Sequence, residues 1–466
     1  MRLSFWKKSA MQNPKPVYYL TIVVLFLASL LGGGQGFFGD VVAQLAAIGL
    51  LIACLFNGTS ELKFASKSKR TLAFAFIATV FFLPLLQLYP WPNSNEFTLA
   101  MQQDLQQAGV QINNLSLNKT YGAERALFFL LPSCAIFIAG LQLSNHYRYR
   151  LLVALAIIVV LNILLGFAQL AQGGTSALRL YEITNPTEAV GFFANRNHFA
   201  SLLMMCLPLS VAITAWCAHQ RSAKKSSSPM LVIGGSLLCI LIILAIAVAR
   251  SRAGLLLGVL GVLISLPAVF ALPRLPGMKR VLSVVFVVGV IATIQFGLMG
   301  ILQRFDQGEA GLTRAQMTQT SIEAGKAYAP MGSGLGTFRQ AFTPFEAKHK
   351  NSVDHAVTNH AHNDYAELWL EAGYPGLFAM IVFWLLFIAL GLRVWWQQKQ
   401  AGSFDILLSR VAWVGVLLAL LHSYADYPLR TTADAGVFAL LLALAIACSQ
   451  NKHYVENPRS AEGRDS

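Results

Sequence analysis

Charge is scarce in this sequence. Asp, Glu, Lys and Arg make up 12% of the 466 residues, about half the roughly 25% usual in a globular protein. Polar surface is short for the same reason: 56% of the chain is hydrophobic, and the mean hydropathy is +0.57. A water-soluble fold could not cover itself with what remains, so lipid must be the solvent for most of the chain. That excludes soluble enzymes, secreted disulfide scaffolds and disordered regulators. Paired cysteines are lacking as well. Cys54, Cys134, Cys206, Cys217, Cys239 and Cys448 all fall in apolar runs, and none stands in a CxxC or CxxH spacing. They read as small buried hydrophobes, not as a disulfide framework or a zinc site. There is no tandem repeat, and no low-complexity tract beyond Lys224-Lys225-Ser226-Ser227-Ser228.

What the sequence does have is runs long enough to cross a bilayer, which takes about 20 apolar residues in a helix. Twelve such runs are free of Asp, Glu, Lys and Arg at their centres: 16–39, 41–60, 71–95, 126–147, 151–178, 197–220, 226–249, 253–273, 281–303, 372–392, 411–425 and 435–451. The last two are short, and the first two nearly fuse through Gly32-Gly33-Gly34. The expected fold is all-α: a polytopic membrane bundle of about twelve transmembrane helices, with a large outer loop between spans 9 and 10. Residues 1–450 are expected to form one membrane domain and 451–466 a polar cytoplasmic tail. The run after Lys7-Lys8 reads as a first anchor, not as a cleavable leader.

Placing the N-terminus in the cytoplasm and alternating gives a consistent ledger. Cytoplasmic stretches hold 21 of the 35 Lys and Arg residues with only five acids, whereas outer stretches hold 13 basic and 16 acidic residues. This is the positive-inside pattern, and it puts both termini inside. The net charge of +14 is therefore topological, and no nucleic-acid partner is expected. The cytoplasmic loops are short. Three outer segments, roughly 90–124, 171–196 and 301–367, are long, so the chemistry is expected on that face.

The segment 301–367 is the richest of these. Leu312, Met317 and Ile322 are spaced as on a short amphipathic helix at the membrane surface. Gly332, Gly334 and Gly336 alternate, a pattern that lets the backbone turn tightly or approach a ligand or a neighbouring helix closely. No strand precedes them, so this is no dinucleotide fingerprint. His349, His355, His360 and His362 then fall within fourteen residues. His360 and His362 have the proximity of a metal-ligand pair, although the spacing matches no established zinc pattern. An imidazole, with an unperturbed pKa of about 6.5, is also a natural proton acceptor for a sugar hydroxyl. Solvated loop histidines are the third alternative.

Arginines recur at the outer ends of the spans: Arg179, Arg196, Arg250, Arg252, Arg304, Arg314, Arg339 and Arg430. Each alone could simply snorkel to the interface. Together on one face they point to a bound anion, since guanidinium forks grip phosphate oxygens and do not lose their proton. A pyrophosphate at the membrane surface fits that description.

In this order the elements resemble the O-antigen ligase/polymerase family, membrane glycosyltransferases of the GT-C type that act on lipid-linked glycans. The resemblance is carried by Gly191-Phe192-Phe193-Ala194-Asn195-Arg196-Asn197-His198-Phe199-Ala200, by Arg250-Ser251-Arg252-Ala253-Gly254, by Arg314 ahead of Pro330–Phe338, and by His362-Asn363-Asp364-Tyr365 followed by Glu371-Ala372-Gly373 and Gly376. These span about residues 190–380; residues 1–180 add only hydropathy. The resemblance implies transfer of a glycan from undecaprenyl pyrophosphate to an acceptor hydroxyl, without metal or cofactor, at the periplasmic face of a bacterial inner membrane. It makes His362, favoured over His360 by the match to His-Asn, the general base or the acceptor-positioning residue, and sets Arg252 and Arg314 on the leaving pyrophosphate. Arg196, Arg250, Asn197, His360, Asn363 and Arg339 would contact substrate. The acceptor would be a glycan, lipid A-core or a protein. The Asn195–Ala200 and Asn359–Tyr365 runs look more like polymerases of exopolysaccharide or O-antigen repeats than like ligases or protein glycosyltransferases. A rival from another class, a transporter of lipid-linked glycan, would need charges through the depth of several spans, whereas the centres here are nearly free of them.

Overall fold

The computed structural model describes residues 14–34, 37–57, 67–89, 96–107, 109, 123–182, 185–223, 228–272, 287, 291, 314–346, 358–396 and 403–449. With no water in the bilayer core, a spanning chain must satisfy its backbone within itself, and the apolar runs accordingly become helices. These are α1 (Lys15–Leu31), α2 (Phe37–Phe56), α3 (Lys67–Leu88), α4 (Glu96–Gln107), α5 (Ala123–Gln142), α6 (Asn145–Gln172), α7 (Arg196–Ser222), α8 (Pro229–Val248), α9 (Arg252–Phe270), α10 (Arg314–Ala327), α11 (Phe338–Glu346), α12 (Asp364–Trp396), α13 (Phe404–His422) and α14 (Thr432–Cys448), with a 3-10 turn at Pro428–Arg430 before α14. Among the described residues nine helices are long and apolar enough to cross a membrane, and α1 and α14 are shorter apolar helices. Eleven of the twelve expected runs thus have their helix. Run 281–303 lies outside the described residues apart from Val287 and Ile291, as do Arg304, His349 and His355. The first two runs do separate at Gly32–Gly34.

The core forms around α7, buried along nearly its whole length, with α13 and α14 beside it. Small residues allow the close approach that membrane helices need. A methyl group on Gly254 of α9 would stand 2.7 Å from Ala200 Cβ of α7, and one on Gly415 of α13 would stand 2.9 Å from the Met205 carbonyl of α7. Side chains set where the helices start: Asn195 accepts the Asn197 N–H, Ser251 the Gly254 N–H, and Thr431 the Asp434 N–H. Polar groups gather at the two ends of the bundle. One end carries Lys69 on the Ala447 carbonyl, Arg393 on Ser68, and Asp405 held by Asn145 and Tyr149. The other carries the histidines and arginines described below.

One sequence expectation changes. The tenth span was expected to begin near residue 372, after a loop; instead α12 starts at Asp364 and bends at Gly373, where φ is 52° and ψ −140°. Asp364, Glu367 and Glu371 are therefore helical and pair with Arg430. The expected surface helix falls on α10, and of its three apolar positions Leu312 lies outside the described residues. Its buried face is Thr320, Ser321, Ala324 and Gly325, while Ile322 is exposed. Small residues face inward because Trp369 of α12 lies against the helix: a Cβ on Gly325 would meet its Nε1 at 2.3 Å.

The glycine run resolves as close approach to a neighbouring helix. Gly332, Gly334 and Gly336 all have positive φ, and the loop wraps the bend of α12. Ser333 and Gly334 donate to the Leu370 and Glu371 carbonyls, and the Gly336 and Phe338 N–H groups both donate to Glu371 Oε1. Buried Gln87 of α3 joins this knot, donating to the Glu371 carbonyl and accepting from the Leu335 N–H. Gly332→Ala combines a left-handed backbone, costing about 1–3 kcal/mol for a residue other than glycine, with a Cβ only 2.5 Å from Ala372 N. It should lower the thermal midpoint of detergent-solubilised protein by several degrees. Gly234→Ala on α8, where a Cβ meets nothing within 4 Å, should leave the midpoint unchanged or raise it slightly. Equal midpoints for the two variants would contradict this account.

Candidate active site

The hub of the site is a carboxylate that the sequence reading did not single out. Asp426, in the short connection between α13 and α14, is fully buried and accepts from four directions. Oδ1 accepts from His362 Nδ1 at 3.1 Å and from the Tyr427 N–H at 3.0 Å. Oδ2 accepts from Asn197 Nδ2 at 2.6 Å and Arg314 Nη2 at 3.2 Å. His198 Nε2 lies 3.8 Å from Oδ1. Burial alone would raise the Asp426 carboxyl, but the His362 hydrogen bond and the charges of His198 and Arg314 overcome it and hold the group well below the usual carboxylate range. Burial, then Asp426 itself, pushes the adjacent Tyr427 phenol up, so it stays protonated.

His362 is held by the backbone as well as by Asp426. Among the described residues only Arg250 (φ 51°) and His362 (φ 50°) are non-glycine residues with positive φ. Such positions cluster at functional sites because the surroundings must over-determine them. The next residue, Asn363, accepts the Tyr365 and Ala366 N–H groups and so caps α12. With Nδ1 on Asp426, the other nitrogen of His362 is left for chemistry, and its side chain is 26% exposed.

His360 is organised the same way but enclosed. Its Nδ1 lies 2.8 Å from Glu367 Oε1, and its ring stacks on Tyr427 with centroids 4.1 Å apart, with Phe338 at 6.2 Å on a nearly parallel plane. Glu367 also contacts Arg430, whose guanidinium meets Asp364 at 3.2 Å and both Glu367 and Glu371 at 3.0 Å. Burial would lower the Arg430 guanidinium, but Glu367, Glu371 and Asp364 raise it instead. Arg430, grouped with the anion-binding arginines on sequence grounds, is thus saturated by three carboxylates. The reason is the helical start of α12, which turns those acids toward it.

The remaining candidates divide by partner. Arg314 is 47% exposed but tied to the Ala425 carbonyl and to Asp426. Arg196 is paired with Glu188, and Arg179 donates to the carbonyls of Asn185, Pro186 and Glu188. Arg250 and Arg252 are exposed on the turn between α8 and α9. That turn is placed at the start of α7 by the Gly254–Ala200 approach. Arg339 is exposed on α11 and, among the described residues, takes no part in the Asp426 network. The structure therefore brings His362, Arg314 and Asn197 together directly, and His360 through Tyr427. Asp426, Tyr427 and His198 are the additions. A carboxylate in a nine-residue gap between two apolar runs was the available signal.

Asp426→Asn tests the hub through pH. A carboxyl whose folded pKa is depressed contributes stability above its unfolded value, about 3.9, and loses it as pH falls from there toward the folded value. The variant should be less stable than the parent at pH 6–8. The gap in thermal midpoint should narrow below about pH 4. A gap independent of pH would show that the charge of Asp426 is not what holds the site.

Residues 237–381 match the family model described as O-antigen ligase. The stretch includes Arg250, Arg252, Arg314, Arg339, His360, His362 and Asn363, and excludes Arg196, Asn197 and Asp426. The chain thus resembles the O-antigen ligase/polymerase family, a group of glycosyltransferase-like enzymes using lipid-linked glycans and acceptors. No curated protein matches the chain.

Proposed function

Taking residues 237–381 as an O-antigen ligase region, we propose that this protein transfers glycan from an undecaprenyl-pyrophosphate carrier to a sugar hydroxyl, polymerising repeat units at the periplasmic face of a bacterial inner membrane. The observation that carries the reading is His362: strained backbone, Nδ1 on a buried ionised carboxylate, and a ring open to solvent. In that arrangement His362 removes the acceptor proton through its other ring nitrogen. Asp426 fixes the tautomer and stabilises the imidazolium that results, the role a buried aspartate has beside a catalytic histidine. The acceptor oxygen forms a bond to the anomeric carbon while the bond from that carbon to the pyrophosphate oxygen breaks, its electron pair leaving with the pyrophosphate. His360 is closed between aromatic rings, so it serves as a support of the site and His362 as the base.

The leaving group is an anion, and preorganised positive groups are the main means of stabilising it. Arg252 and Arg250 are exposed beside the first turns of α7 and α9, where helix N-termini add partial positive charge. The solvent-facing part of Arg314 completes the group, and its bond to Asp426 ties anion binding to the base. Asn197 acts by holding Asp426, and Asn363 by capping α12 behind His362; Arg196 and Arg339 stand outside this network and would act only as outer contacts to substrate.

Polymerisation is supported by the resemblance of the Asn195–Ala200 and Asn359–Tyr365 runs. The description of the matched family favours a second reading, ligation to lipid A-core. Purified protein given lipid-linked repeats alone should yield a glycan ladder; product formed only after lipid A-core or a protein is added would replace polymerase by ligase or protein glycosyltransferase. His362→Ala should lower product formation by about two orders of magnitude or more, the usual contribution of a positioned base. Arg252→Ala should lower it by about 10²–10³-fold, as loss of one oxyanion donor does elsewhere. His360→Ala should cost less than His362→Ala, and a chelator should leave activity intact. Full transfer by His362→Ala in correctly folded protein would remove the proposed chemistry.

A further inference from the structure

The acceptor capacity of Asp426 is already taken, yet one more donor stands beside it. A carboxylate has about four lone-pair sites, and His362, the Tyr427 N–H, Asn197 and Arg314 fill them. His198, in the first turn of α7, aims Nε2 at Oδ1 from 3.8 Å, beyond hydrogen-bond distance. That nitrogen is buried and has no partner. A ring nitrogen facing an ionised carboxylate carries its proton, because its lone pair would be repelled there. Buried donors are nearly always bonded, so an unused N–H at this distance needs a reason. The ring is not free to seek another acceptor. It packs edge-on against Tyr427, with centroids 4.7 Å apart and planes at 78°.

Of the four bonds to Asp426, one is exchangeable. The Tyr427 N–H belongs to the adjoining residue, Asn197 is buried, and His362 is held by its own backbone as well. Arg314 makes the longest of the four, at 3.2 Å, and its side chain is 47% exposed. On the transfer reading above, on which this step rests, Arg314 meets the donor's diphosphate. A guanidinium that turns its fork to phosphate oxygens gives up the carboxylate. Asp426 is then buried, ionised and one donor short, which is a costly state. We infer that His198 is a positioning residue that stands in for Arg314: when a diphosphate draws Arg314 away, the His198 N–H closes on Asp426 Oδ1. Reaching an ordinary bond of roughly 2.9 Å takes a movement of about 1 Å. The charge uncovered at Oδ2 is compensated at Oδ1 of the same delocalised group, and His362 keeps its bond throughout. The donor can thus take an arginine out of the network without releasing the imidazole that the acceptor needs.

The test uses full-length protein in nanodiscs, with isotopically labelled histidine and magic-angle-spinning NMR. The Nε2–H signal of His198 is the one missing from His198→Gln. Geranyl diphosphate should move this signal downfield in the wild type, and Arg314→Ala should move it without any ligand. A signal that stays in place in Arg314→Ala would overturn the inference, as would one that moves there but not with geranyl diphosphate. His198→Phe keeps a ring against Tyr427 and removes the donor. Its thermal midpoint should equal or exceed that of the wild type, since an unpaired buried N–H is lost. Its kcat for glycan transfer should nevertheless fall by at least about tenfold, the equivalent of 1.4 kcal/mol. His198→Gln, whose amide N–H can reach the same point, should recover kcat to within about threefold of the wild type. A lowered midpoint in His198→Phe with no recovery in His198→Gln would make His198 a packing residue and overturn the inference. Transfer by a wild type whose signal never moves would sink the exchange alone; a signal that moves in a wild type that transfers no glycan would sink the transfer reading.

Discussion

A buried carboxylate must be paid for by partners, and Asp426 takes its partners from four separate parts of the chain. Asn197 comes from the start of α7, Arg314 from the start of α10, His362 from the segment before α12, and Tyr427 from its own turn. An ionised group with no such bonds would be far too costly in this interior. The bonds therefore do two jobs at once. They make the charge tolerable, and they fix the relative positions of elements that are otherwise far apart in sequence.

Arg430 is the mirror image four residues later. There a buried cation collects Asp364, Glu367 and Glu371 from two turns of α12. Glu367 passes the arrangement on to His360, and Glu371 passes it to the glycine loop and Gln87. Truncating one member of such a cluster is strongly destabilising because it leaves the others unpaired. The two knots share the connection between α13 and α14, so the short turn 423–431 anchors both histidines. Hydrophobic packing holds the bundle together, but this turn sets the geometry at its end.

Much of the fold could be read directly, because lipid as solvent forces a simple relation between hydropathy and helices. Leu86 or Ala245 needs no context to be read as part of a span. The site was only half legible. His362, Arg314 and Asn197 carry side chains whose chemistry attracts attention wherever they stand. Asp426 does not: a single carboxylate between two apolar runs looks like any short polar turn until the fold shows which side chains converge on it. Arg430 was misjudged for the complementary reason. It was grouped with the anion-binding arginines from its place at a span end, while the acids that enclose it depend on where α12 begins, and a helix start among Asn363, Asp364 and Tyr365 leaves no mark in hydropathy.

Backbone conformation links these points to chemistry. Arg250 and His362 hold left-handed conformations in which glycine would sit at less cost. Both lie where the chain turns between helices, so a glycine would serve the turn better. Keeping an arginine and an imidazole there costs stability locally, which at His362 the bond to Asp426 and the packing on Tyr427 offset. What each gains is direction. A left-handed residue points its side chain away from the line of the helix it precedes, and at His362 the bond to Asp426 then fixes the ring in that direction. On the proposed function, that direction sets the reach of the second ring nitrogen toward an acceptor hydroxyl.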